Sequence, residues 1–115
     1  MGDAGDATQA AIDFIFVDTI AGVTYCHGYD FLGLARTRSG GFFTPIILPG
    51  VILWVDEAAI PRQLPENRVV RAVFNLGMPI FGPVVITGGA DEDANVTGVP
   101  PYIRGRIEAY FDATL

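Results

Sequence analysis

Thr44–Arg68, TPIILPGVILWVDEAAIPRQLPENR, sets eight large apolar residues around one Pro-Gly pair and then turns abruptly to Asp56-Glu57. Within it, Val51 to Val55 reads as a strand: Val51, Leu53 and Val55 point to one side, Ile52 and Trp54 to the other. A solvated face would leave a tryptophan wet beside an isoleucine, so both sides of this strand need a cover.

Working outward, Pro49-Gly50 suits the centre of a type II turn, because proline presets the first φ and glycine accepts the positive second one. That turn has the wrong twist for a tight two-residue hairpin, so a bent or offset connection to the preceding run is expected. In that run, Phe42 to Leu48, Pro45 has no N–H for a ladder and argues for an edge position or a bulge.

Ile12 to Val17 (IDFIFV) and Val23 to Cys26 predict a hairpin turning near Ala21-Gly22. Tyr29 to Arg36 has the apolar spacing of a short helix weakened by Gly33, followed by a loop, Arg36 to Gly41. Glu66 to Leu76 is the clearest helix, with Pro65 suited to its first position, Val69, Val70, Val73 and Phe74 on one face, and Gly77 as its stop. Met78 to Thr87 reads as a buried strand distorted by Pro79, Gly82 and Pro83. Gly88 to Asn95 makes an acidic turn, Val96 to Val99 a short partner strand, and Tyr102 to Phe111 a final helix.

These elements predict an α+β fold: a single compact domain over residues 11–115, with a mixed or antiparallel sheet of about five or six strands and two to three helices. Residues 1–10, small and acidic, are expected to form a disordered tail. Two helices shield one face of such a sheet; curvature or a second copy must shield the other, and we expect a homodimer.

A chain of 115 residues fits one domain, and its composition, 50% apolar and 17% charged, is that of a globular protein. Net charge is −6, which disfavours nucleic-acid partners because phosphate neutralisation needs a positive surface. The longest uncharged apolar run, Phe42 to Val55, is too short and too broken by proline to span a membrane. Cys26 is alone and forms no internal disulfide, and the first ten residues lack the basic and apolar segments of a secretory signal; a cytoplasmic location is expected.

Catalytic patterns are thin. His27 is the only histidine, and strand geometry sends it and Cys26 to opposite faces. Asp91 to Asn95 begins like a calcium loop, but Val96 stands where glycine is needed and Tyr102 where the bidentate acid belongs. Gly77 to Gly82 has P-loop spacing, followed by Pro83-Val84 in place of lysine and a hydroxyl residue. We therefore expect no enzyme, no metal and no cofactor.

One signal favours ligand binding. Arg36-Thr-Arg38-Ser39-Gly40-Gly41 concentrates two forked cations, two hydroxyls and two glycines in an acidic protein whose seven basic residues are all arginine. The entry to the Glu66–Leu76 helix adds Asn67, Arg68 and Arg71. The expected ligand is a small, anionic, nucleotide-like molecule held by Arg36, Arg38, Ser39, Gly40, Asn67 and Arg68, with Phe43 and Trp54 for its base. The alternative is a protein-interaction module that blocks a host protein and has no small-molecule pocket.

LPGVILWVDEAAIPRQLPENRVVRAVF followed by GMPIFGPVVITGGADEDANVTGVP resembles a small domain-of-unknown-function family of actinobacteria and their phages. The shared pattern is an apolar strand ending in Trp54-Val55-Asp56-Glu57, an Asn67 before a helix, a Gly77-x-Pro79-Ile80 step, a Val-rich strand and an acidic turn, with Ala94-Asn95 where the pattern has Asp-Gly. The resemblance implies a compact accessory protein of phage or mobile-element type and carries no activity with it.

Overall fold

The computed structural model describes residues 10–20 and 22–114; the expected tail lies almost wholly outside them. In chain order the elements are β1 (Ile12–Val17), β2 (Val23–Gly28), α1 (Phe31–Ser39), β3 (Phe43–Leu48), β4 (Val51–Asp56), α2 (Arg68–Val73), β5 (Val84–Gly88) and α3 (Pro101–Thr114). The strands form one sheet in the order β2-β1-β5-β4-β3, and every neighbouring pair is antiparallel. The described residues thus form a compact α+β domain of five strands and three helices, and no described helix is long and apolar enough to cross a membrane.

Both sides of β4 are covered within one chain. On one face Val51 and Leu53 join Ile15, Val17, Val84 and Ile86 beneath Val69 and Val70 of α2 and Ile103 and Ile107 of α3. On the other, Phe14, Phe16 and Val85 pack with Trp54 beneath Phe31 and Ala35 of α1. The Phe31 ring sits 5.2 Å from the indole of Trp54 and 6.1 Å from Phe14. The indole Nε1 donates to Thr87 Oγ1 at 3.0 Å, so its polar atom is satisfied inside the sheet layer. The cover sought for the second face is therefore α1, and the two-sided apolarity of β4 gives no reason to place a second copy there.

Helix α1 runs from Phe31 to Ser39, further than the Tyr29–Arg36 expected, so the predicted Arg-Gly loop is largely its last turn. Gly33, costly by propensity, makes room for the cap: Asp30 accepts from Gly33 N at 3.0 Å, and a Cβ at position 33 would push that carboxylate aside. Gly40 ends the helix at φ +75°, its N–H donating to Arg36 O.

Other expectations are corrected. Pro49-Gly50 does close a tight hairpin, with Leu48 opposite Val51 and Gly50 at φ +77°; a six-pair register outweighs the twist mismatch. The abrupt turn to charge at Asp56-Glu57 does not end the buried segment, since Asp56 itself is buried. The Glu66–Leu76 helix shrinks to α2, Arg68–Val73, because Asn67 is its cap and the chain turns at Asn75, φ +50°. Of the Met78–Thr87 run only the part from Val84 on is strand, in β5, Val84–Gly88, since Pro79, Gly82 and Pro83 keep the rest out of the ladder. Val96–Val99 joins by isolated bonds, Thr97 N to Gly89 O, Gly88 N to Thr97 O and Val99 N to Asp13 O, without forming a strand. Pro101 opens α3 rather than preceding it.

Pro45 fits because β3 is an edge. Glu57 N donates to Phe42 O, which makes Phe42, Thr44, Ile46 and Leu48 the residues bonded to β4 and turns Pro45 outward, where no N–H is needed.

Two polar devices lock the layers. Asn67, fully buried, donates from Nδ2 to Val17 O and to Gly82 O, both at 3.0 Å, and accepts from Val70 N at Oδ1. It joins the end of β1, the approach to β5 and the start of α2. Asp56 accepts from Ala58 N at Oδ1 and from Arg62 Nη1 at Oδ2, 2.6 Å, while Arg62 Nη2 donates to Ser39 O. That guanidinium fastens the C-terminal end of α1 to the end of β4.

Two outcomes are expected in urea denaturation. Asn67→Ala takes a donor from two buried carbonyls, Val17 O and Gly82 O, and removes a cap, costing about 2–4 kcal/mol. Phe31→Ala opens the α1 layer and costs about 3–5 kcal/mol, with the Trp54 emission shifting to the red.

Candidate functional site

The last turn of α1, the β1–β2 connection and the segment before β5 enclose a cleft of about 290 Å³. Its walls carry Phe16, Thr24, Arg38, Ser39, Arg62 and Pro83, with Asp18 and Thr19 also lining it. Arg38 reaches over the sheet because α1 lies across that face: its guanidinium carbon stands 5.2 Å from the Phe16 ring centroid and Nη1 donates to Thr24 Oγ1 at 3.2 Å. Among the described residues Arg38 has no carboxylate partner, whereas Arg62 is committed to Asp56 and Ser39 O. The two cations also offset the negative end of the α1 dipole.

Of the eight nominated residues, the cleft unites Arg38 and Ser39. Arg36 lies outside it, 5.6 Å from the Phe42 ring, and Gly40 serves as the helix cap. The backbone N–H groups of the two glycines are not free for an anion: Gly40 N donates to Arg36 O and Gly41 N to Ser39 Oγ. Trp54 is held by Phe31 and Thr87, and Phe43 packs in the same layer. Asn67 is enclosed and fully used by its three backbone contacts. Arg68 is exposed on α2 and does not line the cleft; it borders shallow depressions beside it, one with Glu66 and Arg71 and one with Thr19 and Pro65.

Phe16, Thr24 and Arg62 were not nominated. Phe16 and Thr24 are cross-strand partners on the α1 face, and the hairpin register could have paired them. Arg62 had no local signal, since its role depends on a carboxylate six positions away becoming buried.

The same register brings together Asp13 and His27, whose Nδ1 lies 2.7 Å from Asp13 Oδ1. Both side chains are well exposed, at 71% and 65%, so water competes for the contact. They border a second cleft of about 390 Å³ with Tyr25, Pro101 and Arg104. Burial pushes the Tyr25 phenol up, Glu108 adds to that rise and Arg104 opposes it. Burial also pushes the Cys26 thiol up, with Arg38 pulling the other way, so little thiolate forms near neutral pH. In the acidic turn, Asp91 Oδ1 is occupied by the N–H groups of Asp93 and Asn95, and no cluster of three metal-binding side chains occurs among the described residues.

No match is found among curated proteins or among solved structures. The family model for the Domain of unknown function (DUF3846) matches residues 38–112, from Arg38 in the cleft through most of α3. That span is well over half of the sequence, and the chain belongs to the DUF3846 family.

Proposed function

We propose that the protein binds a small anionic, nucleotide-like ligand in the cleft beneath the end of α1, as a binding protein and not as an enzyme. The observation that carries this reading is Arg38: a guanidinium without a carboxylate partner among the described residues, oriented by Phe16 and Thr24, beside Arg62 and the hydroxyl of Thr19, while the Ser39 hydroxyl is already spent on Ala35 O. An arginine fork grips phosphate or carboxylate with two bonds, and a partly enclosed site strengthens them. Leu64, Pro65 and Pro83 offer apolar walls for a flat group, a role that Trp54 and Phe43 do not fill from their packed positions. A volume of about 290 Å³ stands at the small end of ligand sites and suits a mononucleotide better than anything larger. Sequestration of such a ligand fits the phage or mobile-element setting that the sequence pattern suggests.

A second reading, a module that occupies a host protein, is favoured by a shallow apolar groove at the C-terminal end of β4. There Ile60 and Met78, 72% and 61% exposed, stand over Pro61, Pro79 and Ile80.

Calorimetry separates the two. Titration with mononucleotides, cyclic nucleotides and ADP-ribose derivatives is expected to give heat with at least one of them. Arg38→Ala should weaken that binding by about 10- to 100-fold, the range of one charge-assisted contact. Arg106→Ala, at a side chain that stacks on Tyr102 of α3 and does not line the cleft, should leave it unchanged. No heat from the whole panel, together with host-protein capture lost on Met78→Asp, would replace the first reading by the second.

A further inference from the structure

We propose that the outer edge of β2 pairs antiparallel with the β2 edge of a second copy about a two-fold axis at Tyr25, joining two sheets into one. The two edges of the sheet differ. On β3 the outward positions are Phe43, Pro45 and Ile47, so the central donor of that edge is missing and pairing there is interrupted. On β2, Asp18 N donates to Gly22 O, which makes Gly22, Thr24, Cys26 and Gly28 the residues turned toward β1. Val23, Tyr25 and His27 therefore present their N–H and C=O groups outward, three complete pairs without a proline.

The side chains suit self-pairing. VTYCHG carries no lysine, arginine or acid, the residues that natural edges use to repel another strand. A two-fold axis at Tyr25 sets Val23 opposite His27 and Thr24 opposite Cys26 of the other copy, and no like charges meet within the strand.

Charge complementarity then selects a second copy over an unrelated strand. Arg104 lies 4.2 Å over the Tyr25 ring and contacts Glu108 at 3.3 Å, and Glu108 is close enough to raise the Tyr25 phenol. These two charges, one helical turn apart on α3, flank the residue on the proposed axis. A two-fold operation reverses their order, so each Arg104 meets the Glu108 of the other copy. This proposal is independent of the ligand reading, because none of Tyr25, Arg104 and Glu108 lines the Arg38 cleft.

Light scattering coupled to size exclusion, run on the full chain across a dilution series, tests it. The wild type should show twice the chain mass. Tyr25→Pro removes an outward N–H at the axis without breaking a β1–β2 bond, and should raise the dissociation constant at least tenfold. Because proline can also disturb the strand, a surface series provides the second arm. Glu108→Arg should dissociate the dimer, Arg104→Glu with Glu108→Arg should restore it, and Ile47→Lys on the opposite edge should leave it intact. A wild type that is monomeric throughout, including one that accepts a foreign strand peptide instead, would overturn the proposal. So would a dimer indifferent to the charge series or one lost on Ile47→Lys.

Discussion

The whole structure depends on dehydrating both faces of the two inner strands β4 and β5. Val84, Val85 and Ile86 are all fully buried although they alternate sides, and the buried Val51, Ile52 and Leu53 repeat the pattern on β4. Each such side chain contributes about 1.5–3 kcal/mol only if something excludes water from its own side. A domain of this length meets that demand with three layers: α2 and α3 on one face, the short α1 on the other. Phe31 is the contact that closes the thinner layer, since its ring reaches both Trp54 and Phe14.

Once α1 is committed to the sheet, its end is fixed as well. Arg62 binds Ser39 O and the buried Asp56, and a Cβ at Gly41 would run into that pair. The cleft under Arg38 is a by-product of this geometry, because a helix that ends over β1 and β2 leaves a hollow between its last turn and the strand connection. Fold and candidate site are thus coupled through the Asp56–Arg62 pair, one of whose members is buried and the other partly wet.

Period-two runs were legible without a structure: β1, β2, β3 and β4 stand within two residues of their expected bounds, and Pro45 correctly marked an edge. Three features were hidden, each because a tertiary contact overrides a local preference. Gly33 lowers helix propensity, yet the Asp30 cap needs the space it leaves. Asn67 looked like an entry to an anion site, although a polar residue before a helix serves equally as a cap, and here its remaining donors are used inside the core. Residues 78–83 have strand-like composition, but the prolines leave them tied to Glu66 and Asn67 by isolated contacts. The site was legible only in part. Arg38 and Ser39 belong to one local cluster, whereas Phe16, Thr24 and Arg62 reach the cleft from segments distant in sequence.

The central claim is that each chain covers its own Trp54 with its own Phe31. An isotope-filtered nuclear Overhauser experiment on a mixture of labelled and unlabelled protein tests it directly, because it separates contacts within a chain from contacts between chains. Cross-peaks between the Phe31 ring and the Trp54 indole should arise within single chains and persist on dilution. Their appearance only between chains, or their absence with an indole open to solvent exchange, would contradict the architecture.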